Sequence, residues 1–433
     1  MLGVILNPLN TTMIMVALPE MKNEFQLDSN DISWLIASYF MISAVFLPLI
    51  GKLSDFYGRK KIFIFGLILV AISSFTAPLS PNLPFLLGSR TIQAIGTSAL
   101  YPAAIGIVRS NIEKGQNRVI ATLSAFATTS AAFGPSISGL LIQYGGWPII
   151  FYVNFPILLL SALLASRYIP KDPLIRNGKF KWDKIGIALF SLLIYFWMDF
   201  FLALENGLSF LKLIVSLVAT LLFYQHEKKN EAPFINVTFL KKNLNITLVY
   251  VQYTLSTVIF FAMLLSMPIY LQSALMLNSK ITGIMMLSIS IFSVIATPFA
   301  TRWIEKAGFR VPLLTGATIG MAGVLLLISI NLISPLYWIF IILSIIGVSN
   351  GFQNIGLQTI LYSFVSKSES GIASGLLMTS RFMGNILASS LFGVMFASGI
   401  TDRNLNSLSI ILVFVSVISL PGMLYITRRK ASV

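Results

Sequence analysis

Two charged side chains stand inside stretches of sequence that are otherwise apolar, Arg90 in 84–108 and Asp199 in 185–203. An arginine in hydrocarbon costs about 2.5–3.5 kcal/mol unless it faces a bundle interior or a watery cavity. Burial favours the neutral form of a carboxyl group, and a cation beside it would expel the proton. Both residues are therefore candidates for a proton or cation site. Two alternatives stay open, because Arg90 could extend to the outer interface and Asp199 could reach water or form a structural ion pair.

The sequence offers little for other kinds of chemistry. It has no cysteine, and its one histidine, His226, lies in a basic turn. It contains no H-E-x-x-H, G-x-S-G or G-x-x-x-x-G-K-[ST] motif, so nothing supports a zinc or serine hydrolase or hydrolysis of ATP. We therefore expect no enzyme activity, no catalytic residue, no metal site and no cofactor.

Long apolar stretches make up most of the chain. Of its 433 residues, 56% are hydrophobic, and the mean hydropathy is +0.85. A helix needs about 20 mostly apolar residues to cross a bilayer. The sequence predicts an all-α membrane protein with fourteen crossings, at 3–19, 32–50, 61–79, 84–108, 119–143, 148–168, 185–203, 209–225, 246–271, 281–301, 311–330, 335–363, 371–398 and 407–427.

The net charge of +15 is unevenly placed along the chain. If the N-terminus is cytoplasmic, most Lys and Arg residues fall in turns on the cytoplasmic side, which is the positive-inside pattern. We therefore interpret the charge as a topology signal and expect lipid, not nucleic acid, as its partner. Because the first apolar run begins at Met1 without a basic lead-in, we predict a retained helix and not a signal peptide.

The turn between the second and third runs reads GKLSDFYGRKK, residues 51–61. It resembles the G-x-L-a-D-x-x-G-r-k signature of the major facilitator superfamily, through matches at Gly51, Leu53, Asp55, Gly58, Arg59 and Lys60. The resemblance implies a conformational latch in which Asp55 is the acidic partner. Gly51 would permit close helix approach, and Gly58 the positive φ of a tight turn. A weaker echo, TRWIEKAGFR, places Glu305 and Gly308 at corresponding positions 250 residues later.

This duplication predicts a domain organisation. Secondary transporters are commonly built from repeats that hold substrate near the midplane and rock about it. We expect a six-helix bundle at 1–168, cytoplasmic linkers and two inserted helices at 169–245, and a second six-helix bundle at 246–433.

Two further motifs resemble signatures of the superfamily, and the second of them is found in its exporters. Arg90 and Gln93 match R-x-x-q-x-x-G, in which the arginine is linked to proton coupling. Gly134, Pro135 and Gly139 match part of the antiporter signature g-x-x-x-G-P-x-x-G-G. A packing seam of small residues explains the second motif equally well.

The first run ends LNTTMIMVALP, which is similar to L-D-x-T-i-v-n-v-A-L-P of the 14-helix drug:proton antiporter branch. Asn10 stands where that branch has its usual acid, so it can bond a substrate but cannot carry a proton. We predict Asn10, Gln93 and Arg381 in the substrate cavity, and Asp199, Arg90 and Asp31 in coupling. Asp31 is also explained as part of a helix N-terminus.

The resemblance implies proton-coupled efflux of lipophilic, preferably cationic, drugs across a bacterial cytoplasmic membrane, with both termini cytoplasmic. Its partners would be a small-molecule drug, protons and the lipid bilayer, with a proton gradient as the energy source. A proton-coupled permease for a small metabolite, with the same fold, is the alternative. The oligomeric state does not follow from the sequence.

Overall fold

The computed structural model describes residues 2–112, 116–170, 183–204, 207, 209–230, 233–235, 237–364 and 370–428. Every regular element in these residues is helical, which confirms the all-α prediction. The helices are α1 (Leu2–Phe25), α2 (Ser29–Tyr57), α3 (Arg59–Thr76), α4 (Leu83–Asn111), α5 (Gln116–Gly145), α6 (Ile149–Tyr152), α7 (Asn154–Tyr168), α8 (Lys184–Ala203), α9 (Phe210–Lys229), α10 (Val237–Lys242), α11 (Leu244–Ser273), α12 (Ser279–Ala307), α13 (Arg310–Leu327), α14 (Leu336–Phe364), α15 (Ser370–Phe396) and α16 (Asp402–Arg428).

Twelve segments of the described chain are long and apolar enough to cross a membrane. They are formed by α1 to α4, α6 with α7, α8, α9, α11 to α14 and α16. Helices α5 and α15 have 30 and 27 residues and occupy the two remaining predicted runs, but they are not among the twelve. The structure thus supports twelve of the predicted crossings, and the other two stay predictions.

Positive-φ glycines separate two pairs of consecutive helices. Gly58 (φ 109°) lies directly between α2 and α3, and Gly308 (φ 74°) follows α12 just before α13. A side chain is strained at such φ values, so glycine permits the sharp change of direction. The positive φ predicted for Gly58 is confirmed, and the turn at Gly308 is its structural counterpart.

The helices form two groups that meet mainly along two pairs of helices. Helices α1 to α7 pack among themselves, as do α11 to α16, and the main contacts between the groups are α5 with α12 and α2 with α15. Helix α8 packs against α9 and also against α2 and α15. We call the side on which α1 begins and α16 ends the terminal face, and the opposite side the far face.

The contacts between the two groups are tight toward the far face. Ser33, near the start of α2, and Ser389, near the end of α15, each donate from Oγ to the other's carbonyl oxygen, at 2.9 and 3.0 Å. A Cβ built on Gly139 of α5 would lie 2.7 Å from the Cα atom of Gly283 in α12. Two backbones this close admit no side chain between them, so α5 and α12 are in direct contact toward the far face, as α2 and α15 are.

Candidate functional site

A cavity lies between the two helix groups. Its wall is formed by α1, α2, α4 and α5 on one side and by α11, α12, α14 and α15 on the other. It takes in Val4 from the start of α1, Tyr101 from the second half of α4 and Gln358 from the second half of α14, all toward the terminal face. Its volume is about 110 Å³, below the roughly 300–1,000 Å³ of drug-sized sites. A drug-sized ligand therefore requires the two groups to separate further on this side.

One wall of the cavity is a row of carboxamides on α14. Asn350, Gln353, Asn354 and Gln358 all line it. Asn354 Oδ1 accepts from Tyr253 OH (3.1 Å) and from Gln358 Nε2 (2.8 Å). The row is not among the residues predicted from sequence, although amides spaced i, i+3, i+4 and i+8 in an apolar helix share one face, and that spacing is visible in the sequence.

Aromatic rings form another part of the wall. The ring of Phe40 on α2 meets Phe261 of α11 edge-on, with centroids 5.0 Å apart, and lies 5.7 Å from Phe382 of α15. All three rings line the cavity. The cavity thus combines flat apolar surfaces with amide and hydroxyl groups, the mixture expected of a small-molecule site.

Arg381 on α15 lines the cavity, as predicted. It is partly buried, and the described residues give its guanidinium no hydrogen bond, ion pair or ring contact. No aspartate or glutamate is among the described residues of the lining. Arg381 is accordingly the charged group in this wall.

Arg90 occupies a different environment, inside the first helix group. Its side chain is 2% exposed, bonds Gln93 Oε1, and lies 4.3 Å from the centre of the Tyr39 ring. Gln93 Nε2 donates to Asn10 Oδ1 (3.0 Å), which also accepts from Asn154 Nδ2 (2.8 Å). We call these five residues the Arg90 network.

The predicted cavity positions of Asn10 and Gln93 need correction. They are 4% and 0% exposed, and neither lines the cavity. Their amide groups bond one another and Arg90 and lie behind the wall. The network reaches the cavity surface through Thr97, a lining residue whose Oγ1 lies 2.6 Å from Tyr39 OH.

The two acids predicted to take part in coupling lie away from the cavity. Asp199 on α8 pairs with Lys212 on α9 at 2.8 Å, and the two side chains are 31% and 39% exposed. Asp31 closes a capping box at the start of α2, in which its amide donates to Asp28 Oδ1 (2.6 Å). The second interpretation of Asp31, as part of a helix N-terminus, is confirmed.

The latch motif is only partly described. The Asp55 side chain lies outside the described residues. Arg59 donates to Gly106 O of α4, and Lys60 donates to Ile169 O (2.6 Å) after α7. These two bonds stay within the first helix group and fasten the basic turn to the C-terminal ends of α4 and α7. Glu305, the predicted second-copy acid, is exposed at the end of α12.

Close approach at Gly51 is not required by the structure. A Cβ built there meets nothing nearer than Pro102 Cβ at 3.8 Å, which is ordinary contact. Gly134 differs, because a Cβ there would overlap Thr12 Oγ1 of α1. Pro135 lies within α5 beside it. The helix-5 motif therefore acts in packing, with Gly134 against α1 and Gly139 against α12.

A cluster fastens the terminal-face ends of α8 and α9. His226 Nε2 lies 2.8 Å from Asp183 Oδ1, and the amides of Gly186 and Phe234 donate to the same carboxylate, at 2.8 and 3.1 Å. Burial acts to raise the pKa of Asp183, but these hydrogen bonds outweigh it and hold the pKa below its ordinary value. With Glu227, the group has ligand-type atoms within 4.8 Å of one another. Because most of these atoms already bond one another or backbone amides, we interpret the cluster as structural.

Comparison with known proteins agrees with this architecture. The model of the Major Facilitator Superfamily matches residues 1–389. The chain is 37% identical over 415 residues to the uncharacterized MFS-type transporter YwoD of Bacillus subtilis, covering 95% of this chain and 92% of that one. It is 28% identical to the riboflavin transporter RibZ of Clostridioides difficile (92% and 87% covered). It is 27% identical to the multidrug resistance protein Stp of Mycobacterium tuberculosis (92% and 74% covered).

Among solved structures, a bacterial homologue of the human lysosomal transporter Spinster, in an inward-facing and occupied conformation, superposes with a TM-score of 0.65. The match covers 99% of this chain and 95% of that one at 15% identity. At that identity the likeness concerns the fold alone.

Proposed function

The chain belongs to the major facilitator superfamily, a family of transporters and not of enzymes, and on that premise we propose that it exports lipophilic drugs by proton antiport. The mechanism would be alternating access, in which the two helix groups expose one cavity to each side of the membrane in turn. Relatives named for multidrug resistance support this proposal.

One observation carries the proposal. The cavity lies between the two groups and toward the terminal face, whereas the Ser33–Ser389 and Gly139–Gly283 contacts close the far face. Those contacts join helices of different groups, so a rocking motion would break them while it closes the opposite side. A cavity closed on one side by separable contacts is what alternating access requires.

The direction of export rests on the charge pattern. The basic turns lie on the terminal face, and the positive-inside rule makes that face cytoplasmic. The cavity would then load from the cytoplasm of a bacterial cell and release to the outside. Both termini would be cytoplasmic.

The proton gradient can supply enough free energy for export. A membrane potential contributes about 2.3 kcal/mol per charge per 100 mV, so one proton at roughly 150 mV supports a gradient of a few hundredfold. Which residue carries the proton stays a prediction. Asp199, Arg90 and Asp31 are the candidates from sequence, and none of them lines the cavity.

The substrate is less well specified. A preference for cationic drugs stays a prediction, and the described lining offers a cation no carboxylate partner. A permease for a small metabolite is the second candidate, which the relation to a riboflavin transporter favours.

Transport by purified protein in proteoliposomes separates these two candidates. We expect efflux of a preloaded neutral lipophilic dye such as Nile red when an outwardly acidic pH gradient is imposed on right-side-out vesicles, and no efflux without the gradient or without the protein. Proton-driven uptake of riboflavin without dye efflux would favour the permease. Movement of neither compound would count against both.

Alternating access has its own test, because the chain contains no cysteine. Ser33→Cys with Ser389→Cys places two thiols where reciprocal hydrogen bonds of 2.9 and 3.0 Å join α2 and α15. Oxidation should lock the far face closed and stop transport, and a reductant should restore it. Each single variant is the control, and transport by the cross-linked double variant would contradict the mechanism.

A further inference from the structure

We propose that Arg381 selects substrates that carry a carboxylate or another anionic group on an aromatic body. The inference rests on the proposed transport function, since it names the substrate class of the same cavity. It replaces the expectation of cationic drugs with the opposite charge preference.

The first step concerns the charge of the cavity. Arg381 lines it, and no acid is among the described lining residues. Arg381 also has no described hydrogen-bond or ion-pair partner. A cation entering this space would meet a like charge in a region of low dielectric constant, whereas an anion would meet an unpaired guanidinium.

The second step is the comparison with Arg90. Gln93 Oε1 accepts a hydrogen bond from the Arg90 guanidinium and the face of Tyr39 lies against it, although Arg90 Nε has no described hydrogen-bond partner. Arg381 receives no such provision from the described residues. A partly buried charge without a protein partner is costly, and a ligand that supplies the counter-charge recovers that free energy. A guanidinium fork also matches a carboxylate in bidentate geometry, which gives orientation as well as attraction.

The third step concerns the rest of the ligand. Phe382 follows Arg381 in the chain and belongs to the aromatic group that also contains Phe40 and Phe261. Flat rings of a substrate can pack on such surfaces, since aromatic pairs favour offset or edge-to-face arrangements. The carboxamides of α14 add hydrogen-bonding partners without charge. The cavity therefore suits an amphipathic aromatic carboxylate, including the carboxylate end of a zwitterion.

A matched set of three probes tests the inference: 2-naphthylacetate, 2-naphthylacetamide and 2-(2-naphthyl)ethylammonium, which present an anion, a neutral amide and a cation on one ring system. Binding to the purified full-length protein is measured by calorimetry at pH 7, and transport by counterflow in phosphatidylcholine proteoliposomes. We expect the anion to bind at least about tenfold more tightly than the amide, and the cation to bind most weakly.

Three variants of Arg381 sharpen the test. Arg381→Gln should reduce the anion-to-amide preference to within about twofold, Arg381→Lys should retain part of it, and Arg381→Glu should reverse it in favour of the cation. Arg403→Gln removes an exposed positive charge at the start of α16 and should keep the wild-type preference. Thermal unfolding checks that each variant is folded. If Arg381→Gln does not fold, Arg381→Lys still tests the role of the guanidinium.

The outcomes separate this inference from the proposed function. Equal binding of the three probes by wild type, or an unchanged anion preference in Arg381→Gln, would overturn the role of Arg381. Dye efflux without binding of any naphthyl probe would do the same and leave export standing. Absence of dye efflux together with anion-selective counterflow would overturn drug export and leave the charge selection.

Discussion

The two halves of the molecule each hold an arginine in the interior, and they treat it differently. In the first half, Arg90 is 2% exposed and contacts Gln93, which bonds Asn10 in turn, and the Tyr39 ring. In the second half, Arg381 is only partly buried, faces the cavity and has no described partner. The Arg90 guanidinium lies behind the cavity wall, and the Arg381 guanidinium faces any ligand that enters the cavity.

The difference shows that an intramembrane charge is not by itself a binding site. A charge whose hydrogen bonds are made within its own helix group contributes to a rigid wall, since breaking those bonds is costly at low dielectric. A charge without partners is available to a ligand. Whether a buried charge is structural or available to a ligand depends on its neighbours from other helices. Substitutions at those neighbours can test the assignment for each arginine.

The largest expected effect comes from Gln93→Leu. It removes the described side-chain acceptor of Arg90 and one of the two donors to Asn10 Oδ1. Breaking a buried, charge-assisted interaction costs about 3 kcal/mol. We expect a loss of that size in unfolding free energy, measured by thermal or denaturant unfolding in detergent.

Gln358→Leu is the matched change in the cavity wall. Gln358 donates to Asn354 at 2.8 Å but lines the cavity, so water can replace the lost bond. We expect a loss below about 1 kcal/mol. Equal losses of unfolding free energy in Gln93→Leu and Gln358→Leu would show that the Arg90 network and the cavity wall are energetically alike, which would contradict the comparison.

Much of this architecture follows from local sequence. Apolar runs of sufficient length predict the helices, and the glycine in DFYGRK predicts the positive φ at Gly58. Arg381 in the cavity was also predicted. The helices and the turn at Gly58 depend on the composition of one segment. The position of Arg381 depends on the cost of exposing a charge to lipid.

Features that depend on neighbours from other helices could not be predicted in this way. Asn10 and Asn154 are 144 residues apart and bond each other, so nothing in either segment shows that Asn10 is withdrawn from the cavity. Lys212, the partner of Asp199, is only 13 residues away on α9, but the sequence does not show that the side chains of two successive helices meet at these positions. The amide row on α14 was predictable from its spacing and was overlooked.

Asp183→Asn extends the comparison from a hydrogen-bonded arginine to a hydrogen-bonded carboxylate, and its expected effect on stability is smaller. The Asp183 carboxylate accepts from His226 and from two backbone amides, and its pKa is held below the ordinary value. We expect the substitution to lower the unfolding free energy by about 2 kcal/mol at pH 7. Glu305→Gln, which changes an exposed acid, should have almost no effect.

The pH dependence of this difference has a definite sign. Because the folded pKa lies below the unfolded one, the contribution of the carboxylate is fully present above the unfolded pKa and is lost as the pH falls through the folded value. The gap between wild type and Asp183→Asn should shrink below about pH 4, where Asp183 itself takes up a proton. A gap that did not shrink there would contradict the assigned hydrogen bonds.

Tyr39→Phe tests the connection between the Arg90 network and the cavity. It removes the hydroxyl bonded to Thr97 (2.6 Å) and keeps the ring beside Arg90. Thr97 Oγ1 retains its bond to Gln93 O, so we expect a loss of only about 1 kcal/mol. Tyr253→Phe, in the cavity wall, should cost less. A larger loss of unfolding free energy in Tyr253→Phe than in Tyr39→Phe would show that the more rigid wall lies in the second half of the molecule.

Asp199→Asn should have the smallest effect on stability, because its ion pair with Lys212 is 31% and 39% exposed and such pairs contribute about 0–1 kcal/mol. The sequence alone predicts that this variant loses pH-driven dye efflux. The ion pair, and the fact that no described residue of α8 lines the cavity, lead us to expect that it retains efflux, because the carboxylate already has a fixed counter-charge and lines no part of the substrate site. Lys212→Gln is the partner control. If Asp199→Asn were folded but uncoupled, the titrating group would lie outside both arginine environments, and α8 would have to transmit its protonation through its contacts with α2 and α15.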